Sequence, residues 1–141
     1  MTITTIEALL PHRGRMKLID QILEMRNESA ATVAIVTAEW PLVEQNVVSP
    51  LVLIELVAQT SGIAIGWKKL QRKESIDSRG WLVGIKKAHF KVEQIPLHTR
   101  ITTYAQVQFK IENYTIIKGT SSIGTDVIAD IILQVIQASD V

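Results

Sequence analysis

Cysteine is absent from the 141-residue sequence, so the chain can form no disulfide bond and has no thiolate nucleophile or thiolate zinc site. Aromatic residues are scarce, at 5% of the chain. An excess of one charge is also lacking, because fifteen basic residues face fourteen acidic ones and leave a formal charge of +1. Such a chain has no long-range field for gathering nucleic acid or anionic lipid. We therefore expect no nucleic-acid partner.

Targeting and membrane-spanning segments are also missing from the sequence pattern. The N-terminal residues Met1–Glu7 lack the basic start and the apolar run of a secretion signal. The segment 50–67 approaches the length of a membrane span, but Glu55 and Gln59 lie near its centre, where a spanning helix would find them costly. We expect a cytoplasmic protein with no membrane insertion, folded as a single domain over residues 1–141.

What the sequence does have is aliphatic residues in two kinds of pattern. Hydrophobic residues make up 47% of the chain, and a nearly all-apolar segment predicts one long helix from about Pro50 to Leu70, capped by Ser49. Alternating apolar and polar residues predict strands. These strands cover residues 17–23, 30–36, 81–92, 101–111, 114–119 and 127–135. We expect an α+β fold, because antiparallel strands can bury an apolar helix by curling around it.

The predicted helix contains a carboxylate and an amide four residues apart, Glu55 and Gln59. Burying an ionised carboxylate among aliphatic side chains is costly unless it is paired or hydrogen-bonded. Glu55 is therefore either a structural group with a partner, for which Gln59 is available, or a group that does chemistry. Gln59 also has two interpretations. A buried amide most often forms hydrogen bonds with neighbouring polar groups, and the alternative is that Gln59 belongs to the functional site.

Three motifs, in this order and at this spacing, resemble a known family. They are Leu9–Arg13 with Met16–Glu24, then Ile54–Gln59, then Leu82–Lys91. They are similar to the "LLPHR…LLVDRVLE", "IEALAQ" and "AGIDKARFR" segments of the hotdog-fold 3-hydroxyacyl-[acyl carrier protein] dehydratases of fatty-acid synthesis. The resemblance extends over nearly the whole chain, and it is stronger to the divergent relatives found in aryl-polyene-type clusters.

The resemblance implies a hotdog fold, in which a curved antiparallel sheet wraps around one long central helix. It also implies a homodimer with its sheets joined edge to edge, or a higher oligomer of such dimers. An acyl-pantetheine carried by acyl carrier protein or coenzyme A would lie in a tunnel at the interface, and neither a cofactor nor a metal would be needed. Glu55 matches the catalytic carboxylate of the family.

The sequence departs from the family at two positions of the site. The family histidine that removes the α-proton stands in an "HFPG" segment, and Pro41 occupies its position here. A family glycine whose N–H can hold the thioester oxygen is replaced by Pro50, which has no N–H. The N–H of Leu51, at the same helix start, could substitute for it. The divergent relatives also lack the "HFPG" segment and retain the helix glutamate.

Several residues are candidates for the missing functions. His12 is the only histidine within a family-like motif, which makes it a candidate base, although a His-Arg pair beside proline is often a structural anchor. Glu39 and Glu44 flank the position of the missing histidine, and exposed loop carboxylates are the plainer reading of both. The candidate substrate-binding residues are Leu51, Gln59, Ser49 and Arg13.

Clustered cations are a further feature, since they could offer a basic surface to an acidic carrier protein or be no more than solvated faces. They are Lys68, Lys69, Arg72, Lys73, Lys86, Lys87 and Lys91.

We predict dehydration of 3-hydroxyacyl thioesters in fatty-acid or polyene-type lipid biosynthesis, with Glu55 as acid and base in turn. Two alternatives stay open. One is a thioesterase in which Glu55 activates water, and the other is a non-catalytic subunit that binds acyl chains or a partner dehydratase.

Overall fold

Two antiparallel sheets and one long helix make up most of the computed structural model, which describes residues 5–10, 13–72, 80–112 and 114–137. The helices are α1 (Ile6–Leu9), a 3-10 turn (Gly14–Met16) and α2 (Val52–Gln71). The strands are β1 (Gln21–Met25), β2 (Ser29–Ile35), β3 (Val43–Glu44), β4 (Val47–Val48), β5 (Gly80–Phe90), β6 (Ile95–Pro96), β7 (Arg100–Ile111), β8 (Tyr114–Ile123) and β9 (Asp126–Gln137).

The larger sheet has six strands in the order β1-β2-β7-β8-β9-β5, and all of its neighbours are antiparallel. The strands β3, β4 and β6 form a second, small sheet. This architecture confirms the predicted α+β class and the four strands predicted after the helix, and the first two strands pair as a hairpin. The strands β1 and β5 are the two edges of the larger sheet, and β5 has β9 as its one partner within the described residues.

The helix α2 sits on a row of small residues that crosses three strands. Ala30 of β2 pairs with Ala105 of β7, which pairs with Gly119 of β8. A Cβ atom built on Gly119 would lie 2.3 Å from Val57 Cγ1, so α2 rests directly on the backbone of β8. Leu53, one turn before Val57, is also fully buried. This row of small residues therefore lets the sheet curl closely around an apolar helix, as the sequence pattern predicted.

The start of α2 differs from the prediction. The helix begins at Val52, with Leu51 in the N-cap position and no side-chain cap. The Ser49 hydroxyl instead accepts a hydrogen bond from the Leu51 N–H at 3.3 Å, in the turn before the helix. The prediction that Ser49 caps α2 is therefore wrong, because Pro50 and Leu51 add a turn between Ser49 and the first helical residue.

The alternation predicted for β7 holds only over part of the strand. Ile101, Thr103, Ala105 and Val107 face α2 and are buried, but a register shift between Val107 and Phe109 breaks the pattern. After this bulge, Phe109 is 50% exposed. A bulge adds one residue to a strand and reverses the faces of those that follow. Phe109 therefore lies on the opposite face of the strand from Val107.

The short helix α1 packs across α2 at two glycines. A Cβ atom on Gly66 would lie 2.8 Å from the carbonyl oxygen of Leu9, and one on Gly62 would lie 2.7 Å from Leu10 Cδ2. The absence of side chains at these positions lets the N-terminal segment approach the α2 backbone. In the described parts of the chain, no helix is long and apolar enough to cross a membrane.

Candidate active site

Gln59 is a polar side chain of α2 whose amide is hydrogen-bonded at both ends. It is 0% exposed. Its Oε1 accepts a hydrogen bond from the N–H of Leu18 at 3.1 Å, and its Nε2 donates to the carbonyl oxygen of Met16 at 2.6 Å. One end of the amide faces a donor and the other faces an acceptor, so its orientation is determined by the backbone. Gln59 therefore ties α2 to the segment that leads into β1.

The same amide holds Glu55. The Nε2 of Gln59 donates its second hydrogen to Glu55 Oε1 at 3.0 Å, across one turn of the helix. Glu55 is half-buried and lies in the first turn of α2, where the helix dipole favours a negative charge. The carboxyl predicted to be buried is thus half-buried, and it is both partnered and oriented. Its oxygen Oε1 is bonded to a side chain that cannot rotate without losing two backbone hydrogen bonds.

Arg13 is placed at the C-terminal end of α1. Its guanidinium donates to the carbonyl oxygen of Leu10 at 2.6 Å and to that of Glu7 at 2.9 Å. These bonds satisfy carbonyl groups at a helix end, as a cation there commonly does. They agree with the anchoring alternative for Arg13, and its contact with substrate stays a prediction. His12, the candidate base, lies outside the described residues.

Lys17 connects helix α1 to the segment that leads into β1. Its ammonium group forms an ion pair with the Glu7 carboxylate of α1, and this hydrogen bond lowers the pKa of Glu7 below its ordinary value of 4.5. Lys17 stands between the two residues whose backbone groups bind Gln59. The ion pair thus joins α1 to the short backbone stretch that orients Gln59 and, through it, Glu55.

The turn before α2 contains the candidate groups for a thioester oxygen. Leu51 lies four residues before Glu55 and so on the same face of the helix. Its N–H donates a long hydrogen bond to the Ser49 hydroxyl, with 3.3 Å between the nitrogen and the oxygen. A hydroxyl that accepts one hydrogen bond can still donate its own proton. Ser49 and Leu51 together therefore offer two donors one turn from the carboxyl.

The segment around Pro41 forms a tight structure that the sequence analysis missed. Strands β3 and β4 are joined by Gln45 and Asn46, which both have positive φ, the conformation of a two-residue hairpin. Asn46 was the available signal, since asparagine tolerates this conformation. Leu42 also has a positive φ, of 65°, and its carbonyl oxygen accepts from the N–H of Ser49 at 3.2 Å. The position of the missing histidine is thus held close to the turn before α2.

The two other carboxylates near this segment are less buried than Glu55. Glu39 and Glu44 are both exposed, which agrees with the plainer reading of each. Among the residues that the structure describes, no group of three or more histidine, aspartate and glutamate side chains could hold a metal ion.

Comparisons with known proteins identify the family of this chain. The family model of the ApeP-like proteins, described as ApeP dehydratase, matches residues 4–141. A FabZ 3-hydroxyacyl-[acyl-carrier-protein] dehydratase from Streptococcus pyogenes is 29% identical over 101 residues, which cover 68% of this chain and 70% of that protein.

Solved structures show the same fold. The dehydratase heterocomplex ApeI:P from Xenorhabdus doucetiae matches with a TM-score of 0.88 and 22% identity, over 99% of this chain and 94% of that one. The virulence protein Cj0977 from Campylobacter jejuni matches with a TM-score of 0.72 and 15% identity, over 96% and 98%. The predicted hotdog fold and the predicted class of enzyme, a dehydratase, are both confirmed. Because the family model spans nearly the whole sequence, the chain belongs to the ApeP-like dehydratase family.

Proposed function

We propose that this protein dehydrates 3-hydroxyacyl thioesters, carried by acyl carrier protein or coenzyme A, in fatty-acid or polyene-type lipid biosynthesis. The observation that carries the proposal is the orientation of Glu55 by Gln59, whose amide is itself bonded to the backbone at both ends. A carboxyl held in this way is suited to a reaction that moves one proton over a short distance.

The chemistry needs one proton to be taken and returned. The Glu55 carboxylate removes a proton from C2 of the substrate, next to the thioester carbonyl. The electron pair left behind forms the C2=C3 double bond, and the hydroxyl on C3 departs as water after it receives that proton from the Glu55 carboxyl. The products are an enoyl thioester and water, and Glu55 returns to its starting state.

Charge develops on the thioester oxygen when the C2 proton leaves. The N–H of Leu51 and the hydroxyl of Ser49 lie at the helix start, one turn from Glu55, and we assign them to this oxygen. Gln59 is then a positioning residue, because its bonds are made to Glu55 and to the backbone. His12 and Arg13 stay candidates, the first as a second base and the second as an anchor of its segment.

A homodimer, or a higher oligomer of such dimers, is part of this proposal. Edge strand β5 spans eleven residues and exposes Leu82, Val83 and Ile85. A long edge strand with exposed apolar residues is a template for pairing with another strand. Pairing of two copies through β5 would extend the sheet across the dimer. A cytoplasmic location also stays a prediction.

A second candidate function follows from one of the structural relatives. ApeI:P is a heterocomplex of dehydratase subunits, and Pro41 stands where a catalytic histidine is expected. The chain would then act as the partner subunit of a second dehydratase, with β5 pairing to that subunit in place of a second copy.

The test is ultraviolet-monitored turnover of a 3-hydroxyacyl carrier protein and of a short 3-hydroxyacyl thioester. We expect enoyl formation by the wild type and a loss of about 10²-fold or more in Glu55→Gln, the usual size of an acid-base contribution. Glu24→Gln is the matched control, because Glu24 is an exposed carboxylate on β1. Turnover that appears only after a second dehydratase subunit is added would select the partner function, and release of thiol without an enoyl product would indicate a thioesterase.

A further inference from the structure

One face of α2 has the proposed catalytic carboxyl near its start and two glycines further along. Glu55, Gln59, Gly62 and Gly66 follow one another at spacings of four, three and four residues. Residues at these spacings lie above one another on a helix, so the four positions form a single stripe. Gly66 is eleven positions from Glu55, or about 16 Å along the helix at 1.5 Å per residue. The stripe thus connects the proposed site to a distant part of α2.

The N-terminal part of the chain packs on the glycine end of this stripe. A Cβ atom on Gly66 would lie 2.8 Å from the carbonyl oxygen of Leu9 and 3.4 Å from the Cα atom of Leu9. A Cβ atom on Gly62 would instead meet the end of a side chain, Leu10 Cδ2, at 2.7 Å. Both leucines are buried. The backbone before β1 therefore comes within contact of the α2 backbone at Gly66, and it can do so because that position has no side chain.

The same part of the chain returns to the stripe at Gln59. The amide of Gln59 binds the carbonyl oxygen of Met16 at 2.6 Å and the N–H of Leu18 at 3.1 Å. Leu18 is buried, so solvent offers its N–H no alternative partner. We call residues 5–10 and 13–18 the N-terminal arm. The arm therefore contacts the stripe at two separate places, first by close packing and then by hydrogen bonds.

Two basic side chains cross-link the N-terminal arm. Arg13 donates to the carbonyl oxygens of Leu10 and Glu7, at 2.6 and 2.9 Å. Lys17, which lies between the two residues that bind Gln59, forms an ion pair with the Glu7 carboxylate. The helix α1 and the stretch that binds Gln59 are thus joined through Glu7 as well as along the chain. A displacement of α1 would therefore displace the backbone partners of Gln59.

We propose that Gly66 and Lys17 are positioning residues for the dehydration, because they fix the N-terminal arm that orients Gln59 and, through it, Glu55. This inference rests on the proposed function. A carboxyl that takes and returns one proton depends on its exact placement, and a displacement of 1 Å can cost about 10²-fold in rate. Gly66 acts by allowing the close approach of the arm, and Lys17 acts by tying the two ends of the arm together. Neither residue touches the substrate in the proposed reaction.

The first test compares two glycine substitutions on the same face of α2. Gly66→Ala forces the backbone of the arm to move, whereas Gly62→Ala meets a leucine methyl group that can turn aside. Both variants replace a glycine within a helix, so their effects on helix propensity are the same. With the short thioester, we expect kcat to fall about tenfold in Gly66→Ala and less than about twofold in Gly62→Ala, at nearly unchanged KM. Equal kcat values in the two variants would overturn the role of Gly66.

Lys17 is tested by loss and by rescue, which also serves if Gly66→Ala does not fold. Lys17→Gln removes the charge that pairs with Glu7, and kcat should fall about threefold at unchanged KM. Lys17→Arg keeps the ion pair and should restore more than about half of the wild-type kcat. Arg26→Gln is the matched control, because it breaks an exposed ion pair, with Glu24, outside the arm. An unchanged kcat in Lys17→Gln, or an equal loss in Lys17→Arg, would overturn the role of Lys17.

A double variant shows whether the effect of Gly66 passes through Gln59. In Gln59→Glu, the donor that supports Glu55 is already lost. Adding Gly66→Ala should then lower kcat by less than about twofold more, because residues that act through one another are not additive. A further tenfold loss would overturn the proposal, since Gly66 would then act on the reaction by another route.

A measurement without substrate separates this inference from the proposed function. The two side-chain amide protons of Gln59 give their own NMR signals, and both are donated, one to the backbone of the arm and one to the proposed catalytic carboxyl. We expect Gly66→Ala and Lys17→Gln to shift these signals and the two control variants to leave them in place. Unchanged signals in Gly66→Ala and Lys17→Gln would overturn the proposal. Absence of turnover by the wild type would contradict the proposed function, while the NMR comparison would still decide whether the arm orients Gln59.

Discussion

The two ends of α2 treat their polar groups in opposite ways. At the N-terminal end, the amide of Gln59 is bonded to the backbone at Met16 and Leu18 and also to Glu55. At the C-terminal end, cations are held near one another and only partly offset by carboxylates. A fully bonded group keeps a fixed geometry, which suits catalysis, whereas a group with excess charge gains from a partner that supplies the opposite charge. We therefore assign the chemistry to the first end.

The largest effect is expected from breaking the Gln59 bonds. In Gln59→Leu, the N–H of Leu18 and the carbonyl of Met16 lose their partner in a buried site, so the free energy of unfolding should fall by about 2–4 kcal/mol. Ser61→Ala is the matched control, because the Ser61 hydroxyl bonds only within α2, to the carbonyl of Ala58. Its cost should stay below about 1.5 kcal/mol in the same urea titration.

Gln59→Glu sharpens the same point for activity. It has nearly the same shape and can still accept from Leu18, but it can no longer donate to Met16 and Glu55 when ionised. We expect kcat with the short thioester to fall by about tenfold or more in the folded fraction, since an oriented carboxyl loses its support. Unchanged kcat would mean that Gln59 serves stability alone.

The next largest effect on stability is expected from a change where α2 packs against the backbone of β8. Gly119→Ala places a Cβ atom 2.3 Å from Val57 Cγ1, which forces the helix or the strand to move. Overpacking of this kind should cost about 1–3 kcal/mol of unfolding free energy. Gly84→Ala provides the control on the β5 edge, where the nearest atom, Gln134 Oε1, is 3.4 Å away. A difference of less than about 0.5 kcal/mol between the unfolding free energies of the two variants would argue against the close packing of α2 on β8.

Removal of the charge of Lys110, which lies near Lys68, Lys69 and Arg72, should have a smaller effect of opposite sign on stability. The folded pKa of Lys110 is lowered, so the protonated lysine destabilises the fold, and stability should rise as the pH increases from the folded pKa toward the ordinary value of 10.5. Lys110→Met removes this cost. We expect a gain of less than about 1 kcal/mol at neutral pH, because solvent screens a partly exposed group. Thermal unfolding of the two proteins at pH 7 measures it, and a loss of stability would contradict the account.

The Glu7–Lys17 ion pair gives the smallest effect. Because the folded pKa of Glu7 is lowered, its contribution to stability is present above the ordinary value of 4.5 and is lost as the pH falls through the folded pKa. Glu7→Gln should therefore lower stability slightly at neutral pH and leave it nearly unchanged at a pH below the folded pKa of Glu7, as measured by urea titrations across the pH range. An equal loss of stability at neutral pH and below the folded pKa would indicate that Glu7 has another role.

Much of the fold was predictable because it depends on local patterns. The apolar run from Val52 and the alternation in β9 are properties of neighbouring residues, and both elements lie close to their predicted bounds. The bulge after Val107 was not predictable, because one inserted residue leaves the composition of a strand unchanged. The predicted Ser49 cap was wrong by two positions, since cap and turn residues are of the same types.

The candidate site was predictable in its residues and not in its contacts. Glu55 and Gln59 were singled out from a single segment, and their hydrogen bond follows from helical spacing. The partners of Gln59 at Met16 and Leu18 are more than forty positions away, and no pattern in the sequence links them. Lys110 is a second case, because only the folded chain brings it to the last turn of α2.

The most direct test of the account is turnover of a short 3-hydroxyacyl thioester by the wild type and by Glu55→Gln, followed at the absorbance of the enoyl product. We predict enoyl formation by the wild type alone and a loss of about 10²-fold or more in the variant, with both proteins equally folded. Equal rates in the two proteins would contradict the assignment of the chemistry to Glu55 and to the N-terminal end of α2.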